Sequence, residues 1–461
     1  MSSGGVRNAR RARWVPGVVL MVGFLLLTAG PVIVGFDHYP QKSIDMDHYH
    51  LEVIHGFAAE WPNPRLDDYK SATTPGMHLV LAAMVRVLGP SETLLQLATC
   101  LFGAGLIGVG WWFGTRVVGG WVAAACMLPL ALSPYVLGNA IWVMTDNFSL
   151  ALVAVSIGIA VFIRPSKKNA FVSGLFLILA VLVRQINVWP TALAWCSTML
   201  GQPEIRRRLS FRDELDDAAT PGPPVVLGGG VMVAFLVLGA FILLWGGLVP
   251  PSFQPGGDGP QHSGGFNLAV APFVLTLVGI YGMPALIVFL PMWREDPPVR
   301  RSALMGAGVG LLIGIALHSS PGADHNRVGG WLWTLAERLP VIGDRSVVLI
   351  LGASLGGFVA GSLHGLLASA GRSRAGWLLI GFAASFIVAY TANAQAFQRY
   401  FDPPVLLALG WALALTIGAR TSAGSTDFPR IVVAGLAMAG MQAVFSGVTL
   451  YLQLGFDPGS N

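Results

Sequence analysis

The first polar stretch of the chain concentrates side chains that can exchange protons. Carboxylates and imidazoles occupy six positions between residues 45 and 55, namely Asp45, Asp47, His48, His50, Glu52 and His55. General-base catalysis near neutral pH uses these two groups, and divalent metals bind them as well. His48 and His50 are two positions apart and would diverge on a helix, and the stretch has no HExxH spacing. We therefore predict general-base chemistry here. A metal site is a less favoured alternative, and a merely solvated loop is the other.

Two polar groups stand where apolar segments begin. The run Thr73-Thr74-Pro75-Gly76 opens one such segment. Threonine as the N-cap with proline just inside is a common helix start, and the free amides of such a start can receive a phosphate. Asp146 precedes another apolar run, where it either caps the helix beginning at Asn147 or takes part in function.

Two arginines lie at the boundaries of apolar segments. Arg184 is accompanied by Gln185 and Asn187, and Arg399 lies between Gln398 and Asp402. An arginine at membrane depth is costly and usually paired, which favours a functional role, although a side chain reaching the lipid headgroups gives the same pattern. A guanidinium fork suits a phosphate or pyrophosphate group. Asp258 and His262 lie in a glycine-rich stretch that either closes over a substrate or merely connects two segments.

The composition predicts that lipid is the solvent for most of these elements. The chain has 461 residues, of which 54% are hydrophobic and 11% are charged, too few charges to coat a soluble surface. Apolar segments without strict alternation predict helices rather than a barrel. They fall at 15–36, 74–89, 92–113, 118–133, 147–163, 170–186, 189–201, 223–249, 267–292, 302–318, 346–370, 375–394, 402–419 and 431–453. The predicted fold is all-α and polytopic, a single membrane domain over 1–461 with about 12–14 transmembrane or partial helices.

The basic residues predict the orientation of the chain. The chain has a net charge of +5, and its basic residues lie in short clusters between apolar runs, which indicates cytoplasmic anchors rather than nucleic-acid binding. Alternating spans place the clusters on one side if segment 118–133, which is short and contains proline, enters the membrane partway and turns back. The opposite, outer side then receives 37–73, 134–146, 184–190, 250–266, 319–345 and 395–404.

These outer residues resemble a known family. An acidic-histidine loop followed by Thr-Thr-Pro-Gly is similar to the dolichyl-phosphate-glucose α-1,2-glucosyltransferases. Further similarities follow in the same order: Thr145-Asp146 before a span, Arg184-Gln185-Ile186-Asn187-Val188-Trp189, Gly257-Asp258 with His262, and Arg399-Tyr400-Phe401 with Pro403. The chain departs from the family pattern at Met46, at Ile186 and in having one proline after the paired threonines, and these departures bear on the sugar and the acceptor.

The resemblance implies a type C glycosyltransferase fold and an inverting transfer of a glucose-like hexose. The donor would be a polyprenyl-phosphate sugar, and the acceptor a lipid-linked glycan or a similar molecule. Asp47 is the expected base, with Asp45 or Asp146 assisting or holding the acceptor. Residues expected to bind the donor phosphate or substrate are Thr74, His50, Arg184, Gln185, Asn187, Asp258, His262 and Arg399. No cofactor is expected, and a divalent metal is not favoured.

The Arg-, Ala- and Gly-rich composition and the tail Asp-Pro-Gly-Ser-Asn predict a bacterial inner-membrane enzyme whose active site faces the periplasm, or the ER membrane in a eukaryote. Lipids are the expected surroundings, and no nucleic-acid partner is expected. A polytopic transporter or lipid-linked-sugar flippase is the alternative. Against it, the charged groups gather at one face and the two halves of the sequence show no repeat.

Overall fold

The structure, a computed structural model, describes residues 14–35, 44–200, 202, 224–257, 265–320, 328–422 and 428–453. Asp258 and His262 lie outside the described residues, as do the N-terminal arginines, residues 204–220 and residues 37–43 of the predicted first outer loop. Within the described part, helices dominate and the strands are two residues long, which confirms the predicted all-α, polytopic architecture.

The N-terminal part begins with α1 (Val15–Val34). A π-helical turn (Asp47–Leu51) continues directly into α2 (Glu52–Ala59). After an irregular stretch come α3 (Gly76–Leu88) and α4 (Glu92–Gly114). The Oγ of Ser91 caps α4 by accepting a hydrogen bond from the amide of Leu94 at 3.3 Å, which satisfies one of the free donors at a helix start.

The next element is a helix pair bent by 73°, consisting of α5 (Gly120–Ala131) and α6 (Pro134–Ile141). Pro134 explains the break, because a proline disfavours the helical conformation of the residue before it. Ser133 is accordingly extended, at φ −64° and ψ 129°. The bend lies at the end of segment 118–133, and either a broken span or a re-entrant loop has this geometry. The partial entry of this segment into the membrane stays a prediction.

A helical hairpin follows, formed by α7 (Asp146–Phe162) and α8 (Lys167–Val183). A 3-10 turn (Gln185–Val188) connects α8 to α9 (Pro190–Leu200). Each arm of the hairpin has 17 residues, a length of about 25 Å. The basic loop at 164–168 therefore lies one helix length from the end that carries Asp146 and Arg184.

The remaining helices are α10 (Pro224–Trp245), α11 (Val270–Glu295), α12 (Pro297–Ala316), α13 (Trp331–Arg338), α14 (Val347–Ser369), α15 (Ser373–Thr391), α16 (Gln398–Ser422) and α17 (Phe428–Gln453). A 3-10 turn (Pro251–Phe253) follows α10. The short strands are β1 (Val328–Gly329), β2 (Val341–Ile342), β3 (Arg345–Ser346) and β4 (Ala396–Phe397). β1 pairs in parallel with β4, which ties the 328–330 segment to the start of α16, and β2 pairs antiparallel with β3.

Among the described residues, seven helices are long and apolar enough to cross a membrane, together with the bent pair and four shorter apolar helices. The protein is an integral membrane protein. In an apolar 18-residue stretch of α16, 94% of the residues are buried inside the protein, whereas in the corresponding stretch of α1 the share is 28%. α16 is therefore a central helix, and α1 presents most of its surface to the surroundings.

Glycines allow α12 and α14 to approach each other very closely. A Cβ added at Gly306 would lie 2.1 Å from the carbonyl oxygen of Gly357, and one at Gly310 would lie 2.1 Å from that of Ala353. Gly361 faces the backbone of Ser302 in the same way. Small residues that permit backbone contact are the usual basis of helix association in membranes, where burial of apolar surface offers little gain.

Candidate active-site cavity

One cavity of about 850 Å³ collects residues from distant parts of the chain. All six segments that the sequence analysis places on the outer side contribute to its wall: 44–73, 134–146, 184–188, Phe253, 329–330 and 395–400. Tyr390 at the end of α15 completes the same region. The volume suits a ligand of ordinary small-molecule size.

Arg399 and Asp45 form an ion pair in the cavity wall. Nη1 of Arg399 donates to Oδ2 of Asp45 at 2.7 Å. The two side chains are 30% and 40% exposed, so water or a ligand can reach both. Arg399 stands in the first turn of α16. Asp45 lies two residues before the π-helical turn, so the pair joins the N-terminal loop to the central helix.

Arg184 and Asp146 form a second, more deeply buried pair. Nη1 of Arg184 donates to Oδ1 of Asp146, and these side chains are only 12% and 13% exposed. Asp146 occupies the first position of α7, and no side chain caps that helix. The interpretation of Asp146 as a helix cap is therefore wrong, because its carboxylate is used by the arginine that follows α8.

Tyr400 connects the two pairs. The guanidinium of Arg184 lies 4.8 Å and that of Arg399 5.2 Å from the centre of its ring. The Tyr400 hydroxyl also accepts a hydrogen bond from Nη2 of Arg399 at 3.3 Å. Two cations over one aromatic ring are attracted to its negative face, which holds the two guanidinium groups close together despite their like charge.

Both arginines keep a buried donor for which the described part of the structure offers no acceptor, Nε in each case. A buried donor without a partner costs about 1–3 kcal/mol. Such a cost favours the binding of a group rich in acceptor oxygens next to these side chains.

His50 lines the cavity and is 8% exposed. Its Nδ1 lies 2.9 Å from Nε2 of His78, which is fully buried in α3. Burial lowers the pKa of His50 from 6.5 to about 3, and the positive charges of Arg399 and Arg184 act in the same direction. His50 is therefore neutral at physiological pH.

Gln185 is a lining residue that fastens three segments together. Its Nε2 donates to the carbonyl oxygens of Ala72 at 2.7 Å and Leu248 at 3.0 Å, and its Oε1 accepts from the amide of Thr74 at 3.2 Å. These bonds fix the wall of the cavity, and the amide of Thr74 that the sequence analysis offered to a phosphate is used by Gln185.

Two further predicted binding residues lie behind the wall. Thr74 is fully buried, and its hydroxyl donates to the carbonyl oxygen of Val181 at 2.6 Å, while α3 begins at Gly76 without a side-chain cap. The prediction that Thr74 caps this helix is wrong, since its hydroxyl serves α8 instead. Asn187 is buried and donates to the carbonyl oxygen of Ala180 at 3.4 Å, near the end of α8.

Asp47 is exposed and does not belong to the cavity wall, whereas Asp45, Tyr49 and His50 do. A π-helical turn repeats roughly every four to five residues, which brings positions 45, 49 and 50 to one face and turns position 47 away. The catalytic role of Asp47 stays a prediction. Glu52 does not line the cavity either, and its Oε1 lies 2.6 Å from Nζ of Lys70.

Sequence reasoning missed several contributors. Tyr135, Asn139, Tyr390 and Gln395 line the cavity, and His78 supports His50. Tyr400 lies inside the Arg399-Tyr400-Phe401 motif, so its aromatic ring was visible in the sequence, but its position under both guanidinium groups was not. His78, a lone histidine in the apolar segment 74–89, was the one available signal for the histidine pair.

Asp402 organises the residues next to Arg399. Its buried carboxylate accepts hydrogen bonds from the hydroxyl of Tyr281, from Nε2 of Gln398 at 3.1 Å and from Oγ of Ser133 at 3.3 Å. Oε1 of Gln398 accepts in turn from the amide of Leu332 at 3.0 Å. This network holds the first turn of α16 against α13 and against the bend between α5 and α6. It therefore also fixes the backbone of Arg399, which lies in that turn.

Within the described ranges, no group of three or more His, Cys, Asp or Glu side chains is placed to hold a metal ion. The predicted metal independence is not tested by this observation and stays a prediction.

Comparison with known proteins identifies no family for this chain: no family model matches it, and no curated protein sequence is similar to it. Among solved structures, it is similar to ArnT from Cupriavidus metallidurans bound to undecaprenyl phosphate, with a TM-score of 0.39 and 16% identity over 100% of this chain and 79% of that one. It is also similar to the Archaeoglobus fulgidus oligosaccharyltransferase in the apo form, with a TM-score of 0.46 and 14% identity over 96% of this chain and 56% of that one. The chain thus spans a little over half of the archaeal enzyme. Because these TM-scores are below 0.5, neither likeness assigns an activity.

Proposed function

We propose that the protein is a membrane glycosyltransferase of the type C fold that transfers a hexose from a polyprenyl-phosphate donor to a hydroxyl group of a lipid-linked glycan acceptor, with inversion at the anomeric carbon. The observation that carries the proposal is the pair of arginine–carboxylate contacts, Arg399 with Asp45 and Arg184 with Asp146, in the wall of one cavity. An acid–base group and phosphate-binding groups are the two components that this reaction needs.

The two arginines are the proposed phosphate-binding residues. Their guanidinium groups share the ring of Tyr400, and each keeps a buried Nε donor beyond its carboxylate contact. Guanidinium groups suit the planar, multiple hydrogen bonding that phosphate oxygens accept. Donors fixed before the reaction stabilise the charge that builds on the departing phosphate at little reorganisation cost.

Asp45 is the proposed base. Its carboxylate reaches the cavity and is 40% exposed, whereas Asp47 is exposed outside the wall. Asp146 is the proposed partner that holds Arg184 in place, since both of their side chains are nearly buried.

The proposed step moves one proton and one negative charge. The acceptor oxygen attacks C1 of the hexose from the face opposite the phosphate, the C1–O bond to phosphate breaks with its electron pair, and the hydroxyl proton passes to Asp45. Asp45 becomes neutral as the phosphate gains a negative charge. Arg399 contacts the carboxylate that loses its charge and is positioned to follow that charge to the phosphate, so the charge balance of the cavity does not change.

The cavity is proposed to face the periplasm, or the lumen of the ER in a eukaryote. α7 and α8 carry Asp146 and Arg184 at one end and the Arg164, Lys167 and Lys168 cluster at the other. α16 likewise runs from Arg399 to Arg420. Because cytoplasmic loops are enriched in lysine and arginine, the end with the cavity is the outer one.

The test uses the full chain purified in detergent, a synthetic polyprenyl-phosphate [³H]glucose donor and a polyprenyl-diphosphate oligosaccharide acceptor. We expect the label to move to the acceptor, with release of polyprenyl phosphate, and Asp45→Asn to prevent it. The rival function is flipping or transport. Vesicles in which the labelled lipid changes leaflet, while no label reaches any acceptor in detergent, would replace the transferase with a flippase.

A further inference from the structure

Two imidazole rings lie edge to edge and nearly coplanar at the cavity wall. Their centroids are 5.2 Å apart with an interplanar angle of 20°, and Nδ1 of His50 lies 2.9 Å from Nε2 of His78. His50 is in the wall, and His78 is completely buried. A single proton lies between the two nitrogens. The ring that carries it determines whether Nε2 of His50 is a hydrogen-bond donor or an acceptor towards the cavity.

The surroundings of His78 decide which ring donates. Its second nitrogen, Nδ1, is buried and meets no hydrogen-bond partner in the part of the chain that the structure describes. Besides His50, the aromatic rings in contact with it are those of Phe57 and Tyr69, both with centroids 6.4 Å away. A buried N–H without an acceptor is rarer in proteins than an acceptor without a donor. Nδ1 of His78 is therefore unprotonated, and the proton lies on Nε2.

This tautomer determines the tautomer of His50. Because Nε2–H of His78 donates, Nδ1 of His50 accepts, and a neutral His50 then carries its own proton on Nε2. Nε2 is the remaining polar atom of a ring that forms part of the cavity wall.

We propose that His78 is a positioning residue that fixes His50 as a neutral Nε2–H donor, and that this donor binds a phosphate oxygen of the polyprenyl-phosphate sugar. The proposal rests on the proposed function for the identity of the ligand. It assigns His50 to phosphate binding and not to proton removal, which it leaves to Asp45.

The charges around His50 keep it in this state. Arg399 at the start of α16 and Arg184 after α8 both oppose a positive charge on the ring. Each of these arginines is paired, with Asp45 and Asp146 respectively, so neither carboxylate is free to stabilise an imidazolium. Burial, the largest influence, also favours the neutral form of His50. The Nε2–H donor therefore persists across the physiological pH range.

The first experiment determines the tautomers directly. Nitrogen NMR of the full chain labelled with ¹⁵N-histidine, assigned with His50→Gln and His78→Gln, distinguishes protonated from bare ring nitrogens. At pH 7 we expect Nε2–H and bare Nδ1 on both rings. A proton on Nδ1 of either ring, or a doubly protonated His50, overturns the inference whether or not the protein is a glycosyltransferase.

The second experiment measures binding of undecaprenyl phosphate in detergent, with matched substitutions. His78→Leu removes the donor to Nδ1 and should weaken binding about tenfold, the scale of one hydrogen bond to a charged group. His78→Gln can place an amide N–H where Nε2–H was, so we expect binding within about threefold of wild type. At His50 itself, Gln keeps an N–H near the Nε2 position and Asn does not, so Gln should bind and Asn should not.

The outcomes separate the two proposals. A wild-type chain that does not bind undecaprenyl phosphate contradicts the proposed function, while the NMR result still decides the histidine pair. If the wild type binds and His78→Gln is as impaired as His78→Leu, the shape of the ring and not its proton is what matters, and the inference is wrong.

Discussion

Arg399 and Asp45 are 354 positions apart in the chain, yet Nη1 of Arg399 lies 2.7 Å from Oδ2 of Asp45. Their side chains are 30% and 40% exposed, against 12% and 13% for Arg184 and Asp146. Ion pairs that water can reach contribute little to stability, whereas breaking a buried pair costs several kcal/mol. The first pair is thus free to exchange partners during a reaction, and the second is suited to hold a group in place.

The first prediction separates the two neighbouring aspartates. Asp45→Asn removes the carboxylate that reaches the cavity and should lower the transfer rate at least a hundredfold, the scale of general-base catalysis. Asp47→Asn should leave the rate within about twofold, since Asp47 is exposed outside the wall and surface substitutions usually have small effects. Initial rates with saturating donor and acceptor give the measurement. Loss of activity in the Asp47 variant alone would return the base to Asp47.

The second prediction concerns the buried pair. Asp146→Leu leaves the guanidinium of Arg184 buried without its carboxylate, so we expect destabilisation of about 3–5 kcal/mol and a marked fall in the thermal midpoint in detergent. Glu52→Gln is the matched control, because the Glu52–Lys70 pair is 49% and 65% exposed and such pairs contribute about 0–1 kcal/mol. Tryptophan fluorescence gives the thermal midpoint of each variant. Equal shifts for Asp146→Leu and Glu52→Gln would contradict the structural role of Asp146.

Part of this site follows from sequence rules alone. The distribution of lysine and arginine assigns 134–146, 184–190 and 395–404 to one side, and these segments meet in the cavity. Pro134 likewise marks a helix end, since it forces the residue before it out of the helical region. Such rules depend on local composition, and local composition is what a sequence displays.

The pairing of residues within the site could not be predicted. Asp45 and Asp47 are chemically equal, and the π-helical turn at 47–51 decides which of them faces the cavity. Nothing in the spacing around His78 indicates that its ring meets that of His50, because the two residues are 28 positions apart and are brought together by the fold and not by a helix repeat. Long-range partners are set by tertiary packing, which overrides local pattern.

The third prediction tests the close packing of α12 on α14. Gly306→Ala places a Cβ 2.1 Å from the carbonyl oxygen of Gly357, and a backbone atom cannot yield as a side chain does. We expect the helices to separate and the thermal midpoint to fall by several degrees, since overpacking typically costs about 1–3 kcal/mol. Gly308→Ala on the same helix is the control, because a Cβ there meets nothing within 4 Å. A midpoint for Gly306→Ala at or above that of Gly308→Ala would show that this contact is not tight.

The fourth prediction concerns pH. His50 has a pKa of about 3 in the folded protein against 6.5 for the free side chain, so between these values the unfolded chain binds more protons and stability falls as the pH is lowered. Between pH 7 and pH 5, this group alone should remove about 2 kcal/mol from the free energy of unfolding. His50→Gln removes the titrating ring and with it this part of the pH dependence. Between pH 7 and pH 5, the thermal midpoint of the variant should therefore fall less than that of the wild type. His55→Gln is the matched substitution for comparison, because His55 is an exposed histidine on the same segment. A wild-type profile that His50→Gln leaves unchanged would mean that His50 binds protons in the folded protein as it does in the unfolded chain, and the lowered pKa would be contradicted.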